Sequence, residues 1–116
     1  MNIILDLADS ELICHSYLPK QQILNISINT WNGKNMYISF YETIAYCFMS
    51  FSNPTCMRIA DSNSEFLVRA LQAEYEKIPS DHGYTCYELL DQDDAPYFSI
   101  VAKCYKYKSA TSVQEF

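Results

Sequence analysis

The sequence has little glycine, proline and positive charge, and each shortage excludes some classes of protein. Two glycines in 116 residues leave no glycine-rich loop of the kind that cradles phosphate groups. Two glycines and four prolines also exclude collagen-like and low-complexity chains. No apolar run approaches the roughly 18–20 residues of a membrane-spanning helix. The motifs of serine hydrolases and of zinc peptidases are absent from the sequence as well.

The shortage of basic residues sets the sign of the charge. Eight lysines and arginines stand against fourteen aspartates and glutamates, which gives a formal net charge of −6. This sign opposes nucleic-acid binding and docking on an anionic membrane, because both depend on lysine and arginine. It suits solubility or a basic protein partner. Nine of the acids fall within residues 61–94, beside only two basic residues.

The cysteines give no sign of a disulfide framework or a zinc site. They are odd in number, widely spaced and form no Cys-x-x-Cys pair: Cys14, Cys47, Cys56, Cys86 and Cys104. We expect most of them to be small apolar residues of the core. The first residues contain an acid, Asp6, and no basic stretch, so they do not resemble a secretory signal. These features predict a reduced, cytoplasmic protein.

The clearest local pattern is a β-hairpin over residues 23–40. Apolar and polar side chains alternate on both sides of Asn32-Gly33. A two-residue turn would place apolar side chains opposite polar ones, whereas a three-residue loop over 31–33 gives one continuous apolar face. The second register pairs Leu24 with Phe40, Ile26 with Ile38, and Ile28 with Met36. It also places Gly33 where the loop needs a left-handed residue.

The helix is marked at both ends. Ser62 and Glu65 match a capping box, with Ser62 as the N-cap. Apolar residues then recur at helical spacing, and Pro79 stops the pattern. Shorter apolar runs predict further strands at 43–51, at 84–90 and at 97–107, with a short edge strand at 58–60. Residues 2–8 fit a strand or a short helix, and 12–18 form another apolar run.

These patterns predict an α+β fold. We expect a curved, mostly antiparallel sheet of five to six strands, with one main helix at about residues 63–78 packed on it. A chain of this length forms a single domain, which we place at residues 1–108. Residues 109–116 are expected to be a flexible C-terminal tail.

No residue pattern points to catalysis or to a cofactor. An EF-hand loop counted from Asp91 needs a glycine and a glutamate where the sequence has Pro96 and Ala102, so we expect no metal site. Neither His15 nor His82 lies in a recognisable nucleophile motif. Glu88 alternates with apolar neighbours and is expected to face water. We therefore predict a protein that is not an enzyme and uses no cofactor.

Tyrosine is abundant, and its placement suggests a binding surface. Ten tyrosines occur, and Tyr97, Tyr105 and Tyr107 share one face of the predicted last strand. Tyrosine suits strands, and it is also favoured at protein interfaces because it offers large area at small entropy cost. The predicted partner-binding residues are the tyrosine and acids around the 91–96 turn, with two further acids as secondary contacts: Asp91, Asp93, Asp94 and Tyr97, then Asp61 and Asp81.

Six segments in this order resemble a known group of proteins. They are Trp31-Asn32-Gly33-Lys34, Ile38-Ser39-Phe40, Ser64-Glu65-Phe66-Leu67, Tyr75-Glu76-Lys77-Ile78-Pro79, Leu90-Asp91-Gln92-Asp93-Asp94 and Ile100-Val101-Ala102. In size, acidity and element order over about residues 20–105, the chain resembles small bacterial immunity proteins of contact-dependent growth inhibition and polymorphic-toxin systems. The resemblance implies binding to a cognate toxin domain, often a nuclease, with its active site occluded. An acidic inhibitor would complement a basic nuclease cleft.

Two alternatives remain open at the level of sequence. One is a regulatory or self-associating interaction module, such as a homodimer formed through an exposed sheet edge. The other is a small enzyme that uses Glu74, Glu88 or a cysteine, although the sequence has no motif for it.

Overall fold

A computed structural model describes residues 2–49 and 53–111. These residues form nine strands and one helix in the following order: β1 Asn2–Asp6, β2 Glu11–Leu18, β3 Ile23–Asn29, β4 Lys34–Tyr41, β5 Ala45–Phe48, β6 Cys56–Ile59, α1 Glu65–Glu74, β7 Thr85–Leu90, β8 Pro96–Ala102 and β9 Cys104–Thr111. No helix in these two ranges is long and apolar enough to cross a membrane.

The strands form two antiparallel sheets that pack face to face. The five-stranded sheet has the order β1-β6-β7-β8-β5, and the four-stranded sheet has the order β2-β3-β4-β9. The predicted α+β class with one helix is confirmed. The strands exceed the expected five to six because residues 2–6 and 11–18 are both strands, and because the run at 97–107 divides into β8 and β9.

The two sheets share one bent ribbon. β4 pairs with β9 in the four-stranded sheet, and their continuations β5 and β8 pair in the five-stranded sheet. Two backbone hydrogen bonds of 3.0 Å lie between these pairings. The N–H of Lys103 donates to the carbonyl of Tyr41, and the N–H of Ile44 donates to the carbonyl of Val101. Glu42 adopts a left-handed backbone with φ of 52° at the bend. Both strands of the ribbon therefore change sheets at the same corner.

Thr43 holds this corner and is only 1% exposed. Its hydroxyl donates to the carbonyl of Phe40 at 3.1 Å, and its N–H donates to the carbonyl of Gln22 at 2.9 Å. Its own carbonyl accepts a hydrogen bond from the hydroxyl of Tyr17 at 3.1 Å. A buried polar residue is tolerated here because each of these groups has a partner.

The hairpin register predicted from the sequence is confirmed. Leu24 pairs with Phe40, Ile26 with Ile38 and Ile28 with Met36. The loop spans three residues and closes with a hydrogen bond of 2.8 Å from the N–H of Thr30 to the carbonyl of Lys34. Gly33 has a φ of 79°, the left-handed conformation that favours glycine.

The main core lies between the sheets. It is formed by the alternating inward side chains of both layers, of which the largest fully buried are Leu24, Ile26, Ile28, Ile38, Phe40, Met57, Leu89, Phe98 and Ile100. A second cluster lies on the outer face of the five-stranded sheet. There Leu67, Ala70 and Leu71 of α1 cover Cys86 and Val101.

The helix is shorter than predicted at both ends. Its N-cap is Ser64, whose side chain accepts from the N–H of Leu67 at 3.3 Å, so the prediction of Ser62 is wrong. The carboxylate of Asp61 accepts from the N–H of Asn63 at 2.9 Å, and this turn holds residues 61–64 out of the helix. At the other end, Tyr75 adopts an extended backbone and packs into the outer cluster, so the helix ends before Pro79.

Three further expectations are corrected. The short strand at 58–60 was expected at an edge, but β6 lies between β1 and β7 because residues 2–6 supply a further strand. Residues 109–111 belong to β9 and not to a tail, since they pair with β4. Residues 112–116 of the expected tail, and residues 50–51 of the strand expected at 43–51, lie outside the described residues.

The cysteines divide between core and surface. All five are free thiols. Cys56 and Cys86 are buried, as expected, whereas Cys14 and Cys104 are exposed. These two lie on the outer face of the four-stranded sheet, which no other described element covers, and the expectation of core cysteines is wrong for them.

Substitution of Thr43 is expected to destabilise the fold, because this side chain holds the corner of the bent ribbon. We expect Thr43→Val to lower the free energy of unfolding by about 1–2 kcal/mol, because the substitution keeps the volume and removes a hydrogen bond at a buried site. Urea unfolding followed by circular dichroism measures the loss. Ser27→Ala, on the outer face of the four-stranded sheet, is the control and should change stability by less than about 0.5 kcal/mol. Equal stability of Thr43→Val and the unsubstituted chain would contradict this role.

Candidate functional site

Four connections meet at the end of the sandwich opposite the Thr43 corner. They are the β1–β2 turn, the β3–β4 loop, the segment before β6 and the β7–β8 turn. The N–H of Leu7 donates to the carbonyl of Thr55 at 2.9 Å, and the N–H of Thr55 donates to that of Leu90 at 2.9 Å. We call this region the acidic end and define it by Trp31 and six acids: Asp6, Asp9, Glu11, Asp91, Asp93 and Asp94.

Two open clefts run across the acidic end and join it into one surface. The first lies between the β3–β4 loop and the β1–β2 turn, and Asp6, Asp9 and Trp31 line it. The second shares Asp9 with the first and continues along the segment before β6 to Gln92 of the β7–β8 turn. The acids that line the clefts are Asp6, Asp9 and Glu11, and the β7–β8 turn with its own acids reaches the second cleft through Gln92.

The β7–β8 turn owes its shape to Asp91. One oxygen of this carboxylate accepts hydrogen bonds from the N–H groups of Asp93 at 2.8 Å and Ala95 at 3.1 Å. The N–H of Asp94 donates to the carbonyl of Asp91 at 3.1 Å, and Asp94 is left-handed with φ of 58°. Asp91 is thus half-buried and structural, while Asp93 and Asp94 are exposed and present their charges to solvent.

Trp31 is a candidate site residue that the sequence patterns did not single out. Its side chain is 76% exposed at the tip of the β3–β4 loop. A tryptophan so exposed is uncommon in a folded chain, and tryptophan is enriched among the residues that dominate protein interfaces. The signal was present in the sequence, since the one tryptophan of the chain lies in a loop of three residues whose other members are polar or glycine.

The acidic end carries unneutralised charge. Among the described residues that line the two clefts, Lys34 is the one lysine or arginine, and it stands against the three carboxylates of Asp6, Asp9 and Glu11. The ion pairs found within residues 2–49 and 53–111 lie elsewhere: Arg58 with Glu88, and Lys103 with Glu42. A surface of this kind attracts cationic groups and repels phosphates.

The structure does not bring the six predicted site residues together. Asp91, Asp93 and Asp94 lie at the acidic end, but Asp61 follows β6 and Asp81 precedes β7, both towards the corner end. The length of β7, about 17 Å at the usual rise per residue, separates the two groups. The predicted primary and secondary contacts therefore do not share one surface, because antiparallel strands place acids that are close in the sequence at opposite ends of the sheet.

Tyr97 is buried and does not lie on an exposed sheet face as predicted. Leu89 pairs with Phe98 and Leu90 pairs with Pro96, so Tyr97 is the extra residue of a β-bulge. The bulge turns its side chain into the main core, where it is 3% exposed. Its hydroxyl has no hydrogen-bond partner among the described residues. Burial, and secondarily the negative charge of Asp91, raises the pKa of Tyr97 well above its ordinary value.

Glu88 does not face water as predicted. One of its carboxylate oxygens accepts from Nε of Arg58 at 2.9 Å, and the side chain of Glu88 is only 13% exposed. Both residues lie on the outer face of the five-stranded sheet, next to the start of α1. This pair links β6 to β7, and removing one partner would leave a largely buried charge.

Cys86 and His15, which the sequence offered as possible catalytic groups, pack against other side chains of the fold. Cys86 is 1% exposed beneath α1, and burial followed by the charge of Glu88 raises its thiol pKa to about 11. It is therefore protonated at neutral pH and supplies no thiolate nucleophile. The ring of His15 packs against those of Phe48 and Phe98 at 5.0 and 5.1 Å. Within the described ranges, no three His, Cys, Asp or Glu side chains are placed to hold a metal ion.

The orphaned hydroxyl of Tyr97 gives a direct test of this geometry. We expect Tyr97→Phe to leave stability unchanged or raise it by up to about 1 kcal/mol, since it removes a buried group that has no partner. Tyr17→Phe is the matched control and should lose about 0.5–1.5 kcal/mol, because the hydroxyl of Tyr17 bonds to Thr43. Urea unfolding compares the two variants.

The pH dependence gives a second readout for the same variants. The pKa of Tyr97 is higher in the folded chain than its ordinary value of 10.0 in the unfolded chain. Above pH 10.0 the hydroxyl therefore ionises more readily in the unfolded chain, and the free energy of unfolding falls as the pH rises. Tyr97→Phe should therefore lose less stability than the unsubstituted chain above pH 10.0. A larger loss in Tyr97→Phe than in Tyr17→Phe at neutral pH would contradict the assignment.

Comparisons with known proteins leave the geometry as the basis for a functional proposal. No protein-family model matches the chain, and neither does any curated protein sequence or any solved structure.

Proposed function

We propose that this chain is a binding protein whose acidic end docks on a basic surface of a toxin domain and occludes the active site of that toxin. The observation that carries the proposal is the unneutralised acidic end with an exposed tryptophan in its midst. The resemblance to immunity proteins supports the identity of the partner. We further propose that the protein acts in the cytoplasm, where its exposed thiols stay reduced, and that it works without catalysis or a cofactor.

Charge and burial would play separate parts in such binding. The carboxylates of Asp93 and Asp94, together with those of Asp9 and Glu11, would steer a basic cleft towards the acidic end. Long-range steering acts mainly on the association rate. Trp31 would supply apolar area at the centre of the contact, which acts mainly on the dissociation rate.

A basic nuclease cleft fits this surface better than a nucleic acid or a membrane does. Nucleases hold phosphates with cationic groups, so their active-site surfaces carry the sign that the acidic end attracts. Nucleic acids and anionic lipid surfaces carry the opposite sign and would be repelled. An inhibitor seated on such a cleft excludes the substrate without reacting with it.

The first experiment is a co-expression test of neutralisation. The chain is expressed with the products of its neighbouring genes, and a partner that co-purifies in equal amount is identified by intact mass. We expect a small basic domain that stops growth when expressed alone and is harmless together with this chain. A chain that purifies without a partner, or a partner whose effect on growth does not depend on this chain, would contradict the proposal.

Variants of the acidic end then test the site. We expect Trp31→Ala to weaken binding by about 2 kcal/mol or more, roughly thirtyfold in Kd. Asp93→Asn combined with Asp94→Asn should slow association and reduce its dependence on salt. Isothermal titration calorimetry measures the Kd of Trp31→Ala, and stopped-flow association at several salt concentrations measures the rate and its salt dependence for the double variant.

The matched control is Asp61→Asn combined with Asp81→Asn. It makes the same change in net charge at the opposite end of β7, so the association rate should stay close to that of the unsubstituted chain. An equal loss in both double variants would show that total charge, and not the acidic end, governs the encounter.

A further inference from the structure

The structure has four edge strands, and they differ in how well they can accept another strand. β1 and β5 border the five-stranded sheet, and β2 and β9 border the four-stranded sheet. β1 and β2 each contain a register shift, and β5 has only four residues. β9 pairs with β4 over eight residues without a shift. Bulges and short length protect an edge from pairing, and β9 has neither.

β9 also lacks the other backbone feature that blocks an edge. Its sequence contains no proline, so no N–H group is missing from the strand. In an antiparallel pair, alternate residues direct their N–H and C=O groups away from the neighbouring strand. Among the described residues, no strand pairs with this outer side of β9. About half of its backbone hydrogen-bonding groups therefore remain open to a further strand.

The side chains of β9 define what that strand must carry. Lys106 and Lys108 pair with Ser39 and Tyr37 on the outer, polar face of the four-stranded sheet. Tyr105 and Tyr107 lie on the inner face, where the ring of Tyr105 packs against that of Tyr87 at 5.3 Å. Tyr107 stacks on Tyr105 but is 52% exposed, because the sandwich is open along this edge.

We propose that β9 is a docking edge for an extended segment of another protein with alternating acidic and apolar residues. The acidic residues of that segment would lie beside Lys106 and Lys108, and its apolar residues would cover Tyr107. Strand addition of this kind takes its affinity from backbone hydrogen bonds and its specificity from alternate side chains. The proposal does not depend on the proposed function, since this edge and the acidic end differ in charge.

A second copy of this chain fits the edge less well. Antiparallel pairing of two β9 strands centred on Tyr107 places Lys106 of one copy directly opposite Lys108 of the other. Like charges in directly opposite positions destabilise a sheet, and edge lysines are a common means of preventing self-pairing. The same two lysines that disfavour a second copy favour an acidic strand.

Two synthetic peptides test the proposal against the full chain. Each has eight residues, to match β9, and alternates valine with glutamate in one peptide and with lysine in the other. Hydrogen exchange of the backbone amides is measured by NMR at increasing peptide concentration. We expect the glutamate peptide to slow exchange along β9, and to leave β2 unaffected because of its bulge. The lysine peptide should have at least about tenfold lower affinity, as two charge pairs change sign.

Charge reversal on β9 provides the decisive variant. Lys106→Glu combined with Lys108→Glu should abolish the preference for the glutamate peptide and transfer it to the lysine peptide. Lys20→Glu combined with Lys77→Glu is the control, because it makes the same change in net charge at two exposed positions outside β9.

Three outcomes would overturn the proposal. One is no protection of β9 by the glutamate peptide in the unsubstituted chain. Another is an equal response of the control variant, which would show that net charge alone governs binding. The third is protection of β9 that rises with protein concentration in the absence of peptide, which would make a second copy the occupant.

Discussion

The corner at Thr43 is the constraint on which the rest of the structure depends. Both strands of one ribbon leave the four-stranded sheet there and enter the five-stranded sheet, so the two layers are joined by continuous backbone pairing. The hydroxyl, N–H and carbonyl of Thr43 all form hydrogen bonds in a site that is 1% exposed. The facing of the two apolar layers follows from this bend. Packing of the main core then makes the arrangement stable.

The same constraint assigns different roles to the two ends of the sandwich. The crossings from β4 to β5 and from β8 to β9 occupy the corner end. The opposite end holds the β1–β2 turn, which also passes between the sheets, the segment before β6, and two tight turns that connect neighbouring strands, β3 to β4 and β7 to β8. Turns need residues such as Asp91, whose side chain bonds to nearby N–H groups, and Asp94, which tolerates a left-handed backbone. Acids therefore collect at that end partly for reasons of backbone geometry. Turn geometry does not require a tryptophan in the β3–β4 loop. The exposure of Trp31 therefore supports the proposed binding role more strongly than the acids do.

Local patterns in the sequence predict some elements well and others poorly. The register of the β3–β4 hairpin follows from the alternation of its own residues, and the structure confirms it. Tyr97 could not be placed this way, because a bulge in the pairing of β7 with β8 reverses the side to which its ring points. Lys103 likewise interrupts the alternation between β8 and β9, so the residues that follow it belong to another sheet. In both places the pairing partner, and not the local sequence, decides the orientation.

Charge that is concentrated in the sequence need not be concentrated in space. Residues 61–94 carry nine acids, yet Glu88 is paired with Arg58, Asp61 and Asp81 lie towards the corner end, and only three of the nine reach the acidic end. The other three acids of that end, Asp6, Asp9 and Glu11, lie in and beside the turn between β1 and β2, and they are three of the four acids that precede residue 61. At the same time, β9 places two lysines on a sheet face of a chain with net charge −6. Net charge therefore describes neither surface, and each must be judged by the strands that carry its side chains.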